Sequence, residues 1–285
     1  MSTDIQEGYG TERQSSGGRR VWLEQAGAFT RRSLQEARNS RLMLAWVIAF
    51  PAIMYLLRAI QGTSGSAASD ATVSIGIGIL GSMFVCLFVF GNQLATDLED
   101  RRYEAYRSMP ISSSADLIGR MAAGFVLAAG AFAATIVAGL ATGASYGLRG
   151  PESVPIVLAA GVLTCLFWMV AAIPFVVVAG NKRIASMATT LVAVMTFVLT
   201  GLNGAVPAQS VIDGPVLNYL PNTLPTRLLV SHLVPAESWT ELGVAPPAMP
   251  TDPTFIALLG GYAALAVLAG TLLVNRTLYD QGWSP

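Results

Sequence analysis

Six runs of about twenty apolar residues dominate this sequence, and they restrict the chain to one broad class of fold. The runs are residues 42–60, 72–94, 117–141, 154–178, 185–205 and 255–274. About 20 apolar residues in a helix span the ~30 Å hydrocarbon core of a bilayer. Only 12% of the chain is charged, about half the share found in an ordinary soluble domain. We therefore expect an all-α integral membrane protein, with six transmembrane helices in one domain over residues 42–285.

Two segments of different character precede the first apolar run. Residues 1–20 are polar and rich in glycine and serine, and this composition predicts a disordered cytoplasmic tail. Residues 21–41 predict an amphipathic helix, with Trp22 and Phe29 on its apolar side and Arg31 and Arg32 among its polar residues. Such a helix is expected to lie in the interface among membrane lipids, with both aromatic rings directed towards the acyl chains. The alternative is an amphipathic helix that only begins the fold.

The basic residues are distributed unevenly between the connections, and this predicts the orientation of the chain. Lys and Arg close to the ends of spans are retained on the cytoplasmic side of a membrane. Fourteen of the 17 basic residues precede the first run, follow the last, or lie in or beside the connections between runs 2 and 3 and runs 4 and 5. Only Arg58, Arg149 and Arg227 lie on the opposite side. We therefore expect a multi-pass protein of the plasma membrane with both termini in the cytoplasm.

The connection between runs 5 and 6, residues 206–254, is the longest on the outer side and holds nine prolines. Its apolar patches are too short to cross a bilayer, and irregular backbone at membrane depth must be buried in protein. The pattern predicts short re-entrant helices that pack against the spans. The one histidine, His232, lies in this connection, where we expect a solvated or helix-capping role.

The residues that several membrane functions require are missing from this sequence. A single histidine cannot form the His-Glu zinc motif of a metalloprotease, and no GxxxxGK[ST] loop surrounds Lys182, the one lysine. Cys86 and Cys165 lie inside apolar runs, where we expect them to be buried as small hydrophobic side chains. The zero net charge gives no field that would attract nucleic acid. We therefore predict no catalytic, cofactor-binding or metal-ligating residues.

A dense polar block, DLEDRRYEAYRSMPISSSADLIGR, lies between runs 2 and 3 and contains nine charges. Asp97 and Arg101 have the spacing of a helical ion pair, so the first part of the block is expected to be helical. Pro110 must end that helix, because proline disfavours the α conformation of the residue before it and lacks a donor. Ser113 and Asp116 then predict a capping box at the start of a second helix.

Together these signals predict a rigid elbow that projects from the membrane between two spans. The elbow is expected to present Tyr103 and Tyr106 together with mixed charges. Tyrosine and arginine are enriched at protein interfaces, so the pattern favours a docking surface for a cytoplasmic partner. The alternative is a solvated hairpin with ordinary helical ion pairs.

The polar block resembles the cytoplasmic signature of type-2 ABC transporter permeases, in particular the daunorubicin-resistance-like branch. That signature is roughly an acidic residue with Leu-Glu, then Arg-Ser-Leu/Met-Pro-Ile/Met-Ser-x-Ser, then Gly-Arg. The residues in matching places are Asp97, Leu98, Glu99, Arg107, Ser108, Met109, Pro110, Ile111, Ser112, Ser114, Gly119 and Arg120. The segment that leads into run 1, with its Phe50-Pro51 step, and the long outer connection are also similar to the family.

The resemblance implies a permease subunit that exports a drug-like or lipid-like hydrophobic cargo. It would have no ATPase site of its own, would pair with a second copy or a paralogue, and would be powered by a separate ABC ATPase that binds ATP and Mg²⁺. The residues implied to couple the two subunits are Asp97, Glu99, Arg101, Arg102, Tyr103, Glu104, Arg107 and Pro110. Sixteen arginines beside one lysine favour a GC-rich prokaryotic source. The alternative function is a membrane scaffold or sensor that recruits a signalling partner through residues 97–116.

Overall fold

The computed structural model describes residues 10–61, 65–179, 181–274 and 276, apart from the side chains of residues 10–17, 43, 107 and 274. Over these residues the chain forms helices and turns, with one isolated bridge between Thr200 and Ser210. The main helices are α1 (Gly10–Asn39), α2 (Arg41–Ile60), α3 (Ala67–Glu99), α4 (Arg102–Arg107), α5 (Ser113–Ala141), α6 (Ser153–Ala179), α7 (Lys182–Leu199), α8 (Leu224–Leu233) and α9 (Thr254–Val274).

Five of these helices, α3, α5, α6, α7 and α9, are long and apolar enough to cross a membrane. A sixth crossing is counted when α1 and α2 are taken as a pair, which bends by 74° at its junction. The prediction of an all-helical, multi-pass membrane protein is therefore confirmed over the described residues.

Helix α3 lies at the centre of the bundle and is buried over most of its length. Two of its glycines fit their neighbours closely. A Cβ atom at Gly78 would lie 2.8 Å from the ring of Phe132 in α5, and one at Gly81 would lie 2.6 Å from the ring of Pro51 in α2. The turns at Val85–Phe90 widen into a π-helix. The first half of the chain thus contains a closely packed group of three helices, α2, α3 and α5.

The chain leaves right-handed helical geometry after α7, where the sequence predicts that the fifth span continues to residue 205. Gly201, Leu202, Asn203 and Gly204 have φ angles of 62°, 56°, 57° and 80°, so together they form a left-handed turn. Glycine adopts this conformation readily, whereas leucine does so at a cost. The turn brings the Leu202 carbonyl oxygen to 2.6 Å from the position of a Cβ atom at Gly76 of α3. Helix α7 therefore ends at Leu199, before the predicted end of the span.

Helix α1 lies across one end of the bundle and packs against α5. It begins at Gly10, whereas the sequence predicts a disordered tail to residue 20; residues 1–9 lie outside the described residues. Ala26 and Phe29 are buried, and a Cβ atom at Gly119 of α5 would lie 2.5 Å from the Ala26 carbonyl oxygen. The missing side chain of Gly119 lets the two backbones meet. The expectation that Phe29 points into the acyl chains is wrong, because its ring belongs to the protein core.

The long connection after α7 folds back onto the opposite end of the bundle. It contains 3₁₀ turns at Pro207–Gln209, Gly214–Asn218 and Ala236–Ser238, and the buried helix α8 packs against α6 and α3. Short helices occupy this connection as predicted, and their re-entrant character stays a prediction. We call this end of the bundle the loop end. The end that carries α1 and the elbow, defined as residues 97–116, is the elbow end.

Candidate functional site

A buried carboxylate lies where α3, α4 and α5 meet. Asp97 is 1% exposed and bonds two arginines: Arg120 Nη2 is 2.5 Å from its Oδ2, and Arg102 Nη1 is 2.8 Å from its Oδ1. Arg120 is also buried, and its Nε lies 2.6 Å from Asp116 Oδ1. Arg32 of α1 reaches Asp97 Oδ1 at 3.4 Å. We call these five residues the Asp97 cluster, and its charges come from four helices.

The elbow bends between α3 and α4 rather than continuing as one helix. Arg101 occupies the bend with a positive φ of 52° and lies 4.0 Å from Glu104, so the predicted pairing of Arg101 with Asp97 is wrong. The buried Asp97 bonds more deeply placed arginines, which lose less to solvent screening. Helix α4 ends at Arg107, and the expectation that the helix stops before Pro110 is confirmed.

The two elbow tyrosines face the interior, so the expectation that the elbow presents them to a partner is wrong. Tyr103 is 5% exposed and Tyr106 is 9% exposed. The guanidinium group of Arg120 lies 6.0 Å from the Tyr103 ring centroid, and the Tyr106 hydroxyl accepts a hydrogen bond from Arg32. The Tyr106 ring also meets the edge of Phe29 at 5.8 Å. The tyrosines are therefore an aromatic wall around the Asp97 cluster.

The start of α5 is capped by a residue from another helix. Ser112 is the N-cap of α5, which begins at Ser113, and neither forms the predicted capping box with Asp116. The Asp116 carboxylate bonds Arg120 instead. The backbone N–H of Ser112 donates to Gln25 Oε1 of α1 at 3.0 Å. Since the first N–H groups of a helix lack partners within it, Gln25 supplies one of the missing acceptors.

Helix α1 makes two further hydrogen bonds around the proline turn. Gln25 Nε2 donates to the Pro110 carbonyl oxygen at 2.8 Å, and Trp22 Nε1 donates to Ser114 Oγ at 2.9 Å. The prediction that Trp22 points towards acyl chains therefore misses its polar contact with the elbow. Sequence reasoning did not single out Gln25, because a single glutamine in an amphipathic helix carries no signal of a partner 85 residues away.

The outward surface of the elbow is formed by side chains that the Asp97 cluster leaves exposed. Met109 is 51% exposed, and the exposed residues around it are Arg101, Glu104, Ala105, Ser108 and Pro110. Of the remaining predicted coupling residues, Asp97 and Tyr103 are buried, Arg102 is half-buried, and the side chain of Arg107 lies outside the described residues. Glu99 is exposed, and its Oε1 accepts the Lys182 backbone N–H at 2.6 Å, which links the elbow to α7.

A second polar cluster lies at the loop end, around an arginine that is wholly buried. Arg227 donates from Nε to Asn218 Oδ1 at 2.5 Å, from Nη1 to the Val244 carbonyl at 3.1 Å and from Nη2 to the Pro247 carbonyl at 2.8 Å. No carboxylate of a described residue pairs with it. Burial lowers the pKa of Arg227 to about 10, so the side chain stays charged at neutral pH. Arg227 therefore joins two parts of the outer connection through hydrogen bonds to neutral acceptors.

His232 is buried beside the start of α6, so of the two roles predicted for it, solvated or helix-capping, the solvated one is wrong. Its Nδ1 lies 3.1 Å from Ser153 Oγ, and that oxygen accepts the Gly150 backbone N–H at 3.3 Å. The serine proton is thus free to be donated to Nδ1 of a neutral imidazole. Burial and the positive charge of Arg149 lower the pKa of His232, and Glu152 opposes them.

This environment predicts a loss of stability at acidic pH. Because the folded-state pKa of His232 lies below its ordinary value, its stabilising contribution is present above about pH 6.5 and is lost as pH falls through the folded pKa. We expect the melting temperature of the wild type to fall more steeply between pH 7.5 and pH 5 than that of His232→Asn. Equal pH profiles for the two proteins would show that His232 is not responsible.

An apolar cavity of about 190 Å³ lies between α3, α5, α6 and α8. Its polar wall groups include Ser82 and Thr164, whose hydroxyls donate to the carbonyls of Ala128 and Ala160. Cys165 also lines the cavity, and its thiol contacts that of Cys86 in α3. Both cysteines are buried, as predicted, and both are free. The cavity therefore presents an apolar surface with no charged group among its lining residues.

Comparison with known proteins gives this chain no relative from which a role could be transferred. A scan against models of known protein families finds no match, and a search of the curated proteins finds no similar sequence. Over the described residues, no group of three or more His, Cys, Asp or Glu side chains is arranged to hold a metal ion. Functional interpretation therefore depends on the geometry of the elbow and of the bundle.

Proposed function

We propose that this chain is the membrane-spanning permease subunit of an ATP-driven ABC exporter. The observation that carries the proposal is the construction of the elbow. A tightly bonded ion-pair cluster on its inner side joins α1, α3, α4 and α5, while Met109, Glu104 and their neighbours remain exposed on its outer side. Such a unit can receive force from a partner and pass it to the bundle, which a solvated hairpin cannot do.

The partner in this proposal is a separate ABC ATPase that binds ATP and Mg²⁺, and two permease chains form the transport unit. Differential binding of the ATPase to two arrangements of the elbow would couple nucleotide binding to rearrangement of the spans. The proposed cargo is hydrophobic or lipid-like and moves outward. The uncharged cavity between α3, α5, α6 and α8 supports an apolar cargo, since it offers no ion partner to a charged one.

The docking surface can be tested with two substitutions on the outer face of the elbow. We expect Glu104→Arg and Met109→Asp to reduce co-purification of the ATPase with the full-length chain from its native membranes. Truncation or reversal of a central interface residue typically weakens association by about 2 kcal/mol or more. Glu241→Arg is the matched control, because it makes the same charge reversal at an exposed residue of the loop end. The chain freed of its partner is expected to hydrolyse no ATP.

Three results would contradict the proposal in different ways. ATP hydrolysis by the purified chain alone would show that it is not a permease lacking its own ATPase. Retention of the ATPase by both elbow variants would show that the ATPase binds to a different surface of the chain. Co-purification of a signalling protein instead of any ATPase would favour the scaffold or sensor function.

The proposed orientation places the elbow end in the cytoplasm of a prokaryotic cell and the loop end outside. Arg149 and Ser108 are both exposed and lie at opposite ends of the bundle. On a background with Cys86→Ala and Cys165→Ala, we expect a membrane-impermeant maleimide to label Arg149→Cys but not Ser108→Cys in intact cells. Both positions should react after the membrane is permeabilised. Labelling of Ser108→Cys alone in intact cells would reverse the orientation.

A further inference from the structure

Two arginines on the outward side of α1, Arg31 and Arg38, form no ion pair with a described residue. Arg31 and Arg38 are seven residues apart, so they share one face of the helix at a separation of about 10.5 Å along its axis. Both side chains are exposed. Over the described residues, no carboxylate lies within ion-pair distance of either one, whereas Arg20 on the same side is paired with Glu24 at 3.1 Å.

These two arginines border an open groove of about 540 Å³ on the surface of α1. The residues that line it, which we call the arginine groove, are Gly27, Thr30, Arg31, Leu34, Gln35 and Arg38. Gly27 leaves a gap in the helix surface, because no atom outside its chain neighbours and the adjacent helix backbone lies within 4 Å of the position that its Cβ would occupy. The groove therefore combines two cationic groups with an apolar side chain and room for a ligand.

The surroundings of the arginine groove indicate how deep it lies relative to a membrane. The axes of α1 and α2 meet at 74°, so α1 lies nearly at right angles to α2. The first turns of α2 expose Leu42 at 86% and Trp46 at 55%, and α1 itself exposes Leu23 at 56%. Exposed tryptophan and leucine beside arginine are typical of the boundary between headgroups and acyl chains.

We propose that the arginine groove binds the phosphate of anionic phospholipids in the leaflet at the elbow end. The guanidinium groups of Arg31 and Arg38 would contact phosphate oxygens, with which arginine forms bidentate hydrogen bonds. The half-buried Leu34 and, about 16.5 Å away along the helix, the exposed Leu23 would contact the upper part of the acyl chains. Because the opposite face of α1 holds the elbow through Gln25 and Trp22, a bound lipid would steady the helix on which the elbow rests. This inference does not depend on the proposed transport function.

The test measures the thermal unfolding midpoint of the purified full-length chain in detergent micelles as lipid is added. Phosphatidylglycerol is expected to raise the midpoint, whereas phosphatidylcholine and soluble glycerol phosphate are not. The double variant Arg31→Gln, Arg38→Gln should weaken the apparent affinity for phosphatidylglycerol about tenfold or more. Arg31→Lys with Arg38→Lys should retain only part of the response, because the positive charge is kept but the bidentate hydrogen bonds to phosphate are lost.

The matched control removes two positive charges from the same end of the bundle but away from the groove. Lys182→Gln with Arg183→Gln does this at two exposed residues of α7 and should leave the response unchanged. An equal loss in this control would mean that the effect is general electrostatics. A full response in the Arg31, Arg38 glutamine variant, or equal responses to phosphatidylcholine, would overturn the proposal. A response to soluble glycerol phosphate as large as that to the lipid would indicate a free-phosphate site instead.

Discussion

Replacing Asp97 by asparagine is expected to destabilise the protein by about 3 kcal/mol or more. Removal of one partner from a buried ion pair typically has an effect of about 3–5 kcal/mol, because the other charge is left buried without compensation. Here Arg120 would keep Asp116 but lose its 2.5 Å contact with Asp97. Thermal or denaturant unfolding of the full-length chain in micelles measures the change.

The neighbouring Asp100 provides the control for this prediction. Its side chain is 49% exposed and contacts Arg102 at 3.0 Å. Exposed ion pairs contribute about 1 kcal/mol or less, so Asp100→Asn should change stability little. The double variant Asp97→Leu, Arg120→Met should be less destabilised than the sum of its single variants, because both charges of the Asp97–Arg120 pair are removed together. Equal stability of Asp97→Asn and Asp100→Asn would contradict the role given to the Asp97 cluster.

Replacing Arg227 by methionine is expected to have a similarly large effect at the loop end. The substitution would leave Asn218 Oδ1 and the carbonyls of Val244 and Pro247 without the donor that now satisfies them. Each unsatisfied buried polar group costs about 1–3 kcal/mol, so a total of about 3 kcal/mol or more is expected. Arg227→Lys should recover little of it, because one ammonium group cannot reproduce the planar fork of a guanidinium.

Hydrogen–deuterium exchange separates this effect from general unfolding. We expect amides around residues 236–250 to exchange faster in Arg227→Met, while those of α3 remain protected. The control is Arg149→Met, which removes an exposed arginine whose guanidinium lies 6.0 Å from the Trp239 ring centroid. Such an exposed contact contributes about 0.5–1 kcal/mol. Unchanged exchange in the Arg227 variant would show that this arginine does not hold the outer connection.

The features that follow from local composition could be predicted from the sequence. The long apolar helices, the helical elbow and the stop before Pro110 depend on hydrophobic length and on the backbone restrictions of proline. The direction in which Tyr103 and Tyr106 point could not be predicted in the same way. The orientation of Tyr106 depends on Phe29 and Arg32 of a distant helix, which provide a ring contact and a donor, and the Tyr103 ring packs edge-on against Tyr106 at 5.6 Å.

The ion pair between Asp97 and Arg120 also could not be predicted from local sequence, because it joins residues that are distant along the chain. Asp97 has several arginines close in sequence, and the helical spacing favours Arg101. The fold instead brings up Arg120, 23 residues away, because α5 returns alongside α3. The left-handed turn at Gly201–Gly204 was also missed, although two glycines and an asparagine are residue types that tolerate positive φ. Such a turn is specified by its packing against Gly76 rather than by local preference alone.

The hydrogen bonds of Gln25 have a mechanical consequence for the whole bundle. Only Ser40 separates α1 from α2, and Gln25 ties α1 to both sides of the proline turn. A force applied to the elbow would thus be transmitted to α3 and α5 through the covalent chain. It would be transmitted to α2 through α1. The closely packed helices α2, α3 and α5 would rotate as one rigid body, whereas α6 and α9 could move with them only by sliding against them. Relative movement is therefore expected to concentrate along the seam that contains the apolar cavity.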